Sequence, residues 1–166
     1  MVLLSPANVL IGFASELFSG LSAPKLTKWD ERFLQLATTV AGWSKDPSTK
    51  VGAVIADDKH VVSLGFNGFP PSTEDKKEWL NDRPTKYSLV IHAEVNAILN
   101  ARRPVNGLTL YVAPLSPCAE CAKLIAASGI RRVVSHRVDD RDLALRHALD
   151  KAKDIFAING ITFQEY

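Results

Sequence analysis

Cysteine is nearly absent. The chain has two, Cys118 and Cys121, and no others from which a disulfide framework could be built. A lone pair in the spacing C-x-x-C points to a reducing, cytoplasmic setting. Charge of one sign is also missing: 20 Lys plus Arg against 18 Asp plus Glu leave a formal charge of +2. That balance lacks the basic field of a dedicated nucleic-acid binder and points to a small-molecule partner. Long apolar runs are missing too. The stretch 1–24 is rich in apolar residues, but Ser, Asn, Gly and Glu interrupt it and no Lys/Arg-rich segment opens it. Neither a signal peptide nor a membrane span fits that pattern. Internal repeats and low-complexity segments are absent as well.

What is present suits one compact domain: 166 residues, 46% of them hydrophobic. Residues 1–26 read as a leader. Ser5-Pro6 followed by Val9, Leu10, Phe13 and Leu17, closing at Gly20, predicts a capped amphipathic helix, with a flexible leader as the alternative. Residues 27–166 read as the functional domain. Trp29, Phe33, Leu36, Ala37 and Val40 recur at helical spacing and predict a first core helix over 27–43, ended near Pro47. Runs rich in β-branched residues at 51–55 and 61–66 predict a hairpin. Residues 67–87, with Gly68, Pro70, Pro71 and Pro84 among charges, predict a long surface excursion serving a site or a partner.

From there the pattern alternates: helix 92–101, strand 108–113, helix 119–127, strand 131–135, helix 141–156, strand 161–164. Alternation of this kind predicts an α/β fold, a three-layer α/β/α sandwich around a central sheet. Gly107, Gly129 and Gly160 each stand where a helix hands over to a strand, a place for a left-handed glycine.

Two short motifs carry the chemistry. His92-Ala93-Glu94 alone is weak, since a single His near a helix start is more often a satisfied polar residue. Cys118-Ala119-Glu120-Cys121 alone fits a redox pair or half of a structural zinc site. Together, His92, Cys118 and Cys121 supply three ligands and leave a fourth position open, the arrangement of a catalytic rather than a structural zinc. His60, His136 and His147 stand in no recognisable pairing with them. Both motifs fall at predicted helix starts, where unpaired N–H groups and the helix dipole stabilise thiolates. Glu94, two residues past the His, is placed to move protons to and from an activated water, the role for which a structural site has no use.

H-x-E followed by P-C-x-x-C is the signature of zinc nucleobase deaminases, satisfied here at every position by residues 92–94 and 117–121. The stretches 44–53, 65–70, 85–87, 92–98 and 118–125 narrow the resemblance to deoxycytidylate (dCMP) deaminases, over residues 29–166. That resemblance implies a cytidine deaminase-like fold with a mixed five-stranded sheet, and hydrolysis of dCMP to dUMP and ammonia with one Zn2+ per chain. It implies that Asn67 contacts the nucleotide sugar, that the Ala93 amide holds the base carbonyl, and that the Ser116 carbonyl receives the departing amine. Ser44 and Lys45 become candidates for the phosphate. Relatives of this kind are often hexamers activated by dCTP and inhibited by dTTP. The effector and its Mg2+ sit near a Gly-aromatic-Asn-Gly loop, here Gly65, Phe66, Asn67 and Gly68. A homo-oligomer is expected accordingly. Departures exist. Residues 67–91 hold no Cys or His for a further zinc, Phe66 stands where Tyr is common, and 135–140 lack the Tyr or Phe often found nearby in relatives. The competing readings are a cytidine or deoxycytidine nucleoside deaminase, a nucleic-acid deaminase, which the charge balance disfavours, and a non-catalytic zinc module.

Overall fold

The structure, a computed structural model, describes residues 25–137 and 143–166, with side chains described from 148 onward in the second segment. The predicted leader helix and residues 138–142 lie outside the described residues. In chain order the elements are α1 (Lys28–Ala41), β1 (Gly52–Asp57), β2 (His60–Phe66), α2 (Lys77–Asn81), α3 (Arg83–Leu89), α4 (Ala93–Asn100), β3 (Thr109–Ala113), α5 (Ala119–Ala127), β4 (Arg132–Ser135), α6 (Leu143–Ile158) and β5 (Thr162–Glu165).

The sheet order is β2-β1-β3-β4-β5. β1 runs antiparallel to both β2 and β3, whereas β3, β4 and β5 run parallel to one another. The expected mixed five-stranded sheet is therefore present. Side-chain alternation divides its two faces. Ala53, Ile55, Leu110, Val112 and Val133 pack with Ala97, Ile125, Ala152 and Phe156 of α4, α5 and α6. Val54, Ala56, Tyr111, Ala113 and Val134 pack with Phe33, Leu34 and Ala37 of α1. The period of two along the strands and the apolar stripe along each helix produce the three layers.

Two glycines let backbone meet backbone. A Cβ on Gly52 would collide with the Ala37 carbonyl and Ala41 amide of α1, and one on Gly65 with the Ala93 carbonyl and Ala97 amide of α4. At the three predicted handovers Gly107, Gly129 and Gly160 adopt φ of 78°, 82° and 64°, the left-handed conformation that glycine adopts without steric cost. The edge strand β2 is further tied to α4 by Asn96 Nδ2 donating to Phe66 O (2.8 Å), Asn100 Nδ2 to Leu64 O (2.9 Å) and Ser63 Oγ to Ala97 O (2.7 Å). Among the described residues no helix is long and apolar enough to cross a membrane.

A buried charge pair locks α1 to the sheet. Asp30, in the capping box at the start of α1, accepts both arms of Arg132 from β4 (2.6 and 3.1 Å) and the Tyr111 hydroxyl from β3 (2.7 Å). Burial alone would raise the Asp30 carboxyl, but Arg132, the Thr27 backbone and hydroxyl, and Tyr111 outweigh it and hold it well below the usual carboxylate range. Asp30→Asn is expected to cost about 3 kcal/mol at neutral pH, because Arg132 then loses its partner in a mostly buried setting. With the folded-state pKa depressed, this stabilisation is complete above the unfolded-state value of about 3.9 and is lost as pH falls below it. Urea denaturation of both proteins at pH 7 and pH 3 checks this: the gap between them narrows at the lower pH.

Candidate active site

His92 is the N-cap of α4 and Cys118 the N-cap of α5, both with extended backbone and neither making a side-chain cap bond. An N-cap side chain ordinarily turns to the free amides of its own helix. Here the two point at each other instead. His92 Nδ1 lies 3.2 Å from Cys121 Sγ and 3.6 Å from Cys118 Sγ, and all three donor atoms fall within 4.8 Å of one another. A tetrahedral zinc with ordinary bond lengths would hold its N and S ligands about 3.5 Å apart, so the donor set fits the metal in kind and spacing. Among the described residues this is the one such cluster.

Hydrogen bonds within the cluster favour the Cys118 thiolate. The Cys121 thiol and His92 hydrogen-bond to Cys118 and hold it near pKa 3. Cys121 moves the other way, pushed up because its proton is held by Cys118, by burial and by the Glu94 carboxylate. His92 is raised by its bond to Cys118. Glu94 lies in the first turn of α4, 4% exposed, hydrogen-bonded to Cys121, and burial raises its pKa. A carboxyl raised in this way, against a three-ligand cluster, is suited to taking up and returning a proton.

His92, Glu94 and Cys118 open onto a cavity of about 840 Å³. His92, Ala93, Glu94, Ser116, Pro117 and Cys118 line it, as do Asp46, Ser48, Thr49, Arg83, Lys86 and Tyr87. Ala93 contributes a first-turn amide of the kind that an α-helix leaves without an intrahelical partner. Ser116 Oγ pairs with Ser135 Oγ (2.8 Å), which fixes the loop before Cys118.

Asn67 lines the cavity, but its amide also holds the loop in place: Oδ1 accepts Val51 N (2.8 Å) and Nδ2 donates to Thr49 O (2.9 Å). One amide hydrogen and one lone pair remain for a ligand. Ser44 and Lys45 are absent from the lining. Ser44 is buried and donates to the Asn67 carbonyl (2.8 Å), while Lys45 extends into solvent and pairs with Asp75 (2.6 Å). Sequence reasoning missed the cations that do line the cavity. The predicted surface excursion forms α2 and α3, and Lys86 within it is buried against Asp46 (3.1 Å) and Ser48 (2.9 Å).

Together the fold and the cluster define a metallohydrolase class in which His92, Cys118 and Cys121, at the N-terminal ends of two helices beside the buried Glu94, would hold a zinc. Residues 27–137 match the family model described as cytidine and deoxycytidylate deaminase zinc-binding region, and the chain belongs to that family. An uncharacterized deaminase in the luxG 3′ region of Aliivibrio fischeri is 45% identical over 137 residues, 82% of this chain and 92% of that one. Human deoxycytidylate deaminase is 39% identical over 148 residues, 84% of this chain and 80% of the relative. In fold the chain resembles the dCMP deaminase of cyanophage S-TIM5 in complex with dCMP and dUMP, with a TM-score of 0.68 at 21% identity over 86% of this chain and all of that one.

Proposed function

We propose that this protein hydrolyses dCMP, water replacing the 4-amino group to give dUMP and ammonia. One observation carries the reading: a buried Glu94, hydrogen-bonded to Cys121 of the His92, Cys118 and Cys121 cluster, lines the same cavity as Arg83 and Lys86. The deoxycytidylate deaminases among its relatives support the choice of nucleotide.

Held by His92, Cys118 and Cys121, zinc supplies Lewis-acid activation of water near neutral pH. Glu94 takes the proton of the attacking water, delivers it to N3 of the ring and assists the departing amine. The Ala93 N–H donates to the base carbonyl, and the Ser116 backbone carbonyl accepts from the departing amine. Asn67 uses its remaining hydrogen-bonding capacity on the sugar.

The cytoplasmic homo-oligomer expected from the sequence, a hexamer switched by dCTP and dTTP with Mg2+, belongs to the same proposal. Its support is the loop 65–68. Asn67 joins that loop to Ser44, Thr49 and Val51, so a displaced loop carries cavity wall with it. The test is turnover of dCMP, CMP and deoxycytidine followed by loss of cytosine absorbance. We expect dCMP to exceed deoxycytidine at least about tenfold in kcat/KM, the value of one charge-assisted contact. Equal turnover would favour a nucleoside deaminase. Superimposable hyperbolic dCMP curves with and without dCTP or dTTP would remove the regulatory part.

A further inference from the structure

Arg83, Lys86 and Tyr87 stand at i, i+3 and i+4 on α3 and line the same cavity. Their charges are not equivalent. The Lys86 ammonium is spent inside the wall, on Asp46 Oδ1 and Ser48 Oγ. Asp46 in turn accepts the amides of Ser48 (2.8 Å) and Thr49 (3.1 Å), so this pair is both neutralised and fixed. Arg83 has no carboxylate partner among the described residues. Its neighbour Asp82 is turned to the Thr85 amide (3.1 Å). Arg83 Nε donates to the Tyr87 hydroxyl (3.0 Å), and the guanidinium lies 5.1 Å from the centre of the Tyr87 ring. That contact aims the fork and leaves the four terminal N–H groups unspent. Ser48 adds a donor: its oxygen already accepts Lys86, so its own O–H stays free and is polarised by the ammonium.

Resting on the dCMP reading, we propose that Arg83 is the specificity-determining residue for the 5′-phosphate, binding it with the Ser48 hydroxyl, while Tyr87 and Lys86 position these two donors. A planar fork matches phosphate oxygens two at a time, which neither a solvated Lys45 nor a buried Ser44 can do.

The experiment compares kcat/KM for dCMP and deoxycytidine in the wild type, Arg83→Gln, Arg83→Lys, Ser48→Ala and Lys45→Ala, with melting temperatures as the check on folding. Arg83→Gln is expected to lower the dCMP value about 10- to 100-fold, through KM, and the deoxycytidine value at least about tenfold less. Arg83→Lys restores part of the loss, Ser48→Ala produces a smaller loss of the same kind, and Lys45→Ala leaves the ratio as it was. Inorganic phosphate competes with dCMP in the wild type and competes more weakly in Arg83→Gln. The proposal is overturned if Arg83→Gln discriminates as the wild type does, or if Lys45→Ala is the variant that closes the gap; the dCMP reading survives either result. A wild-type enzyme that does not distinguish the two substrates overturns both.

Discussion

Glu94→Gln is expected to fold, to hold zinc at the wild-type stoichiometry and to lose about 10²- to 10⁴-fold in kcat, the range ascribed to a positioned acid or base. The substitution keeps the size of a side chain that is 4% exposed and hydrogen-bonded to Cys121, so the fold has little reason to change. It removes the group that takes and returns a proton. Zinc content by elemental analysis, read beside single-turnover rates, separates the possibilities. A variant that lost its zinc would make Glu94 a ligand, and one that stayed active would place proton transfer on another group.

Cys121→Ala is expected to remove both metal and activity. Cys121 is 2% exposed and bonded to His92, Cys118 and Glu94, so its loss takes one corner from the cluster and a partner from each of the other three groups. The fall in rate is expected to reach at least about 10⁶-fold, the lower end of what enzymes gain over the uncatalysed reaction. Stability falls as well, because binding free energy contributed by the metal is folding free energy. A chelator applied to the wild type should reproduce the loss, and zinc should reverse it there but not in the variant. Full activity in a zinc-free variant would remove the metal from the reaction.

The core helices and strands were readable in the sequence because each carries its own period. The 119–127 helix stands where the apolar pattern placed it, and most other ends shift by one or two residues, where helices fray and ladders thin. The hairpin is tighter than the polar stretch 56–60 implied: β1 runs to Asp57 and β2 begins at His60, with Asp58 at a φ of 50°. The excursion was harder, since a five-residue and a seven-residue helix are too short to display a period. The metal site was legible for a local reason. Each of its motifs spans one helix start, so sequence spacing alone fixed the geometry within each half.

Pairings across the chain left no such trace. Lys86 meets Asp46 across 40 residues, Ser44 meets Asn67 across 23, and Arg132 meets Asp30 across 102. A lysine in a proline-bearing loop reads as a solvated charge until the fold shows what lies under it. For the same reason Ser44 and Lys45 stood out as phosphate candidates while Arg83 did not.

The seam between β2 and α4 bears on how this protein can change. At Gly65 that seam is backbone against backbone, with no side chain to exchange for another, and it carries the helix that presents His92 and Glu94. The part of the lining at Ser48, Arg83 and Tyr87 is held by side-chain bonds that another set of residues could replace. Randomising those three positions should therefore yield folded descendants with altered substrate range, whereas a library at Gly65 should yield few that fold. The cavity is heritable in two pieces, one fixed and one free to drift.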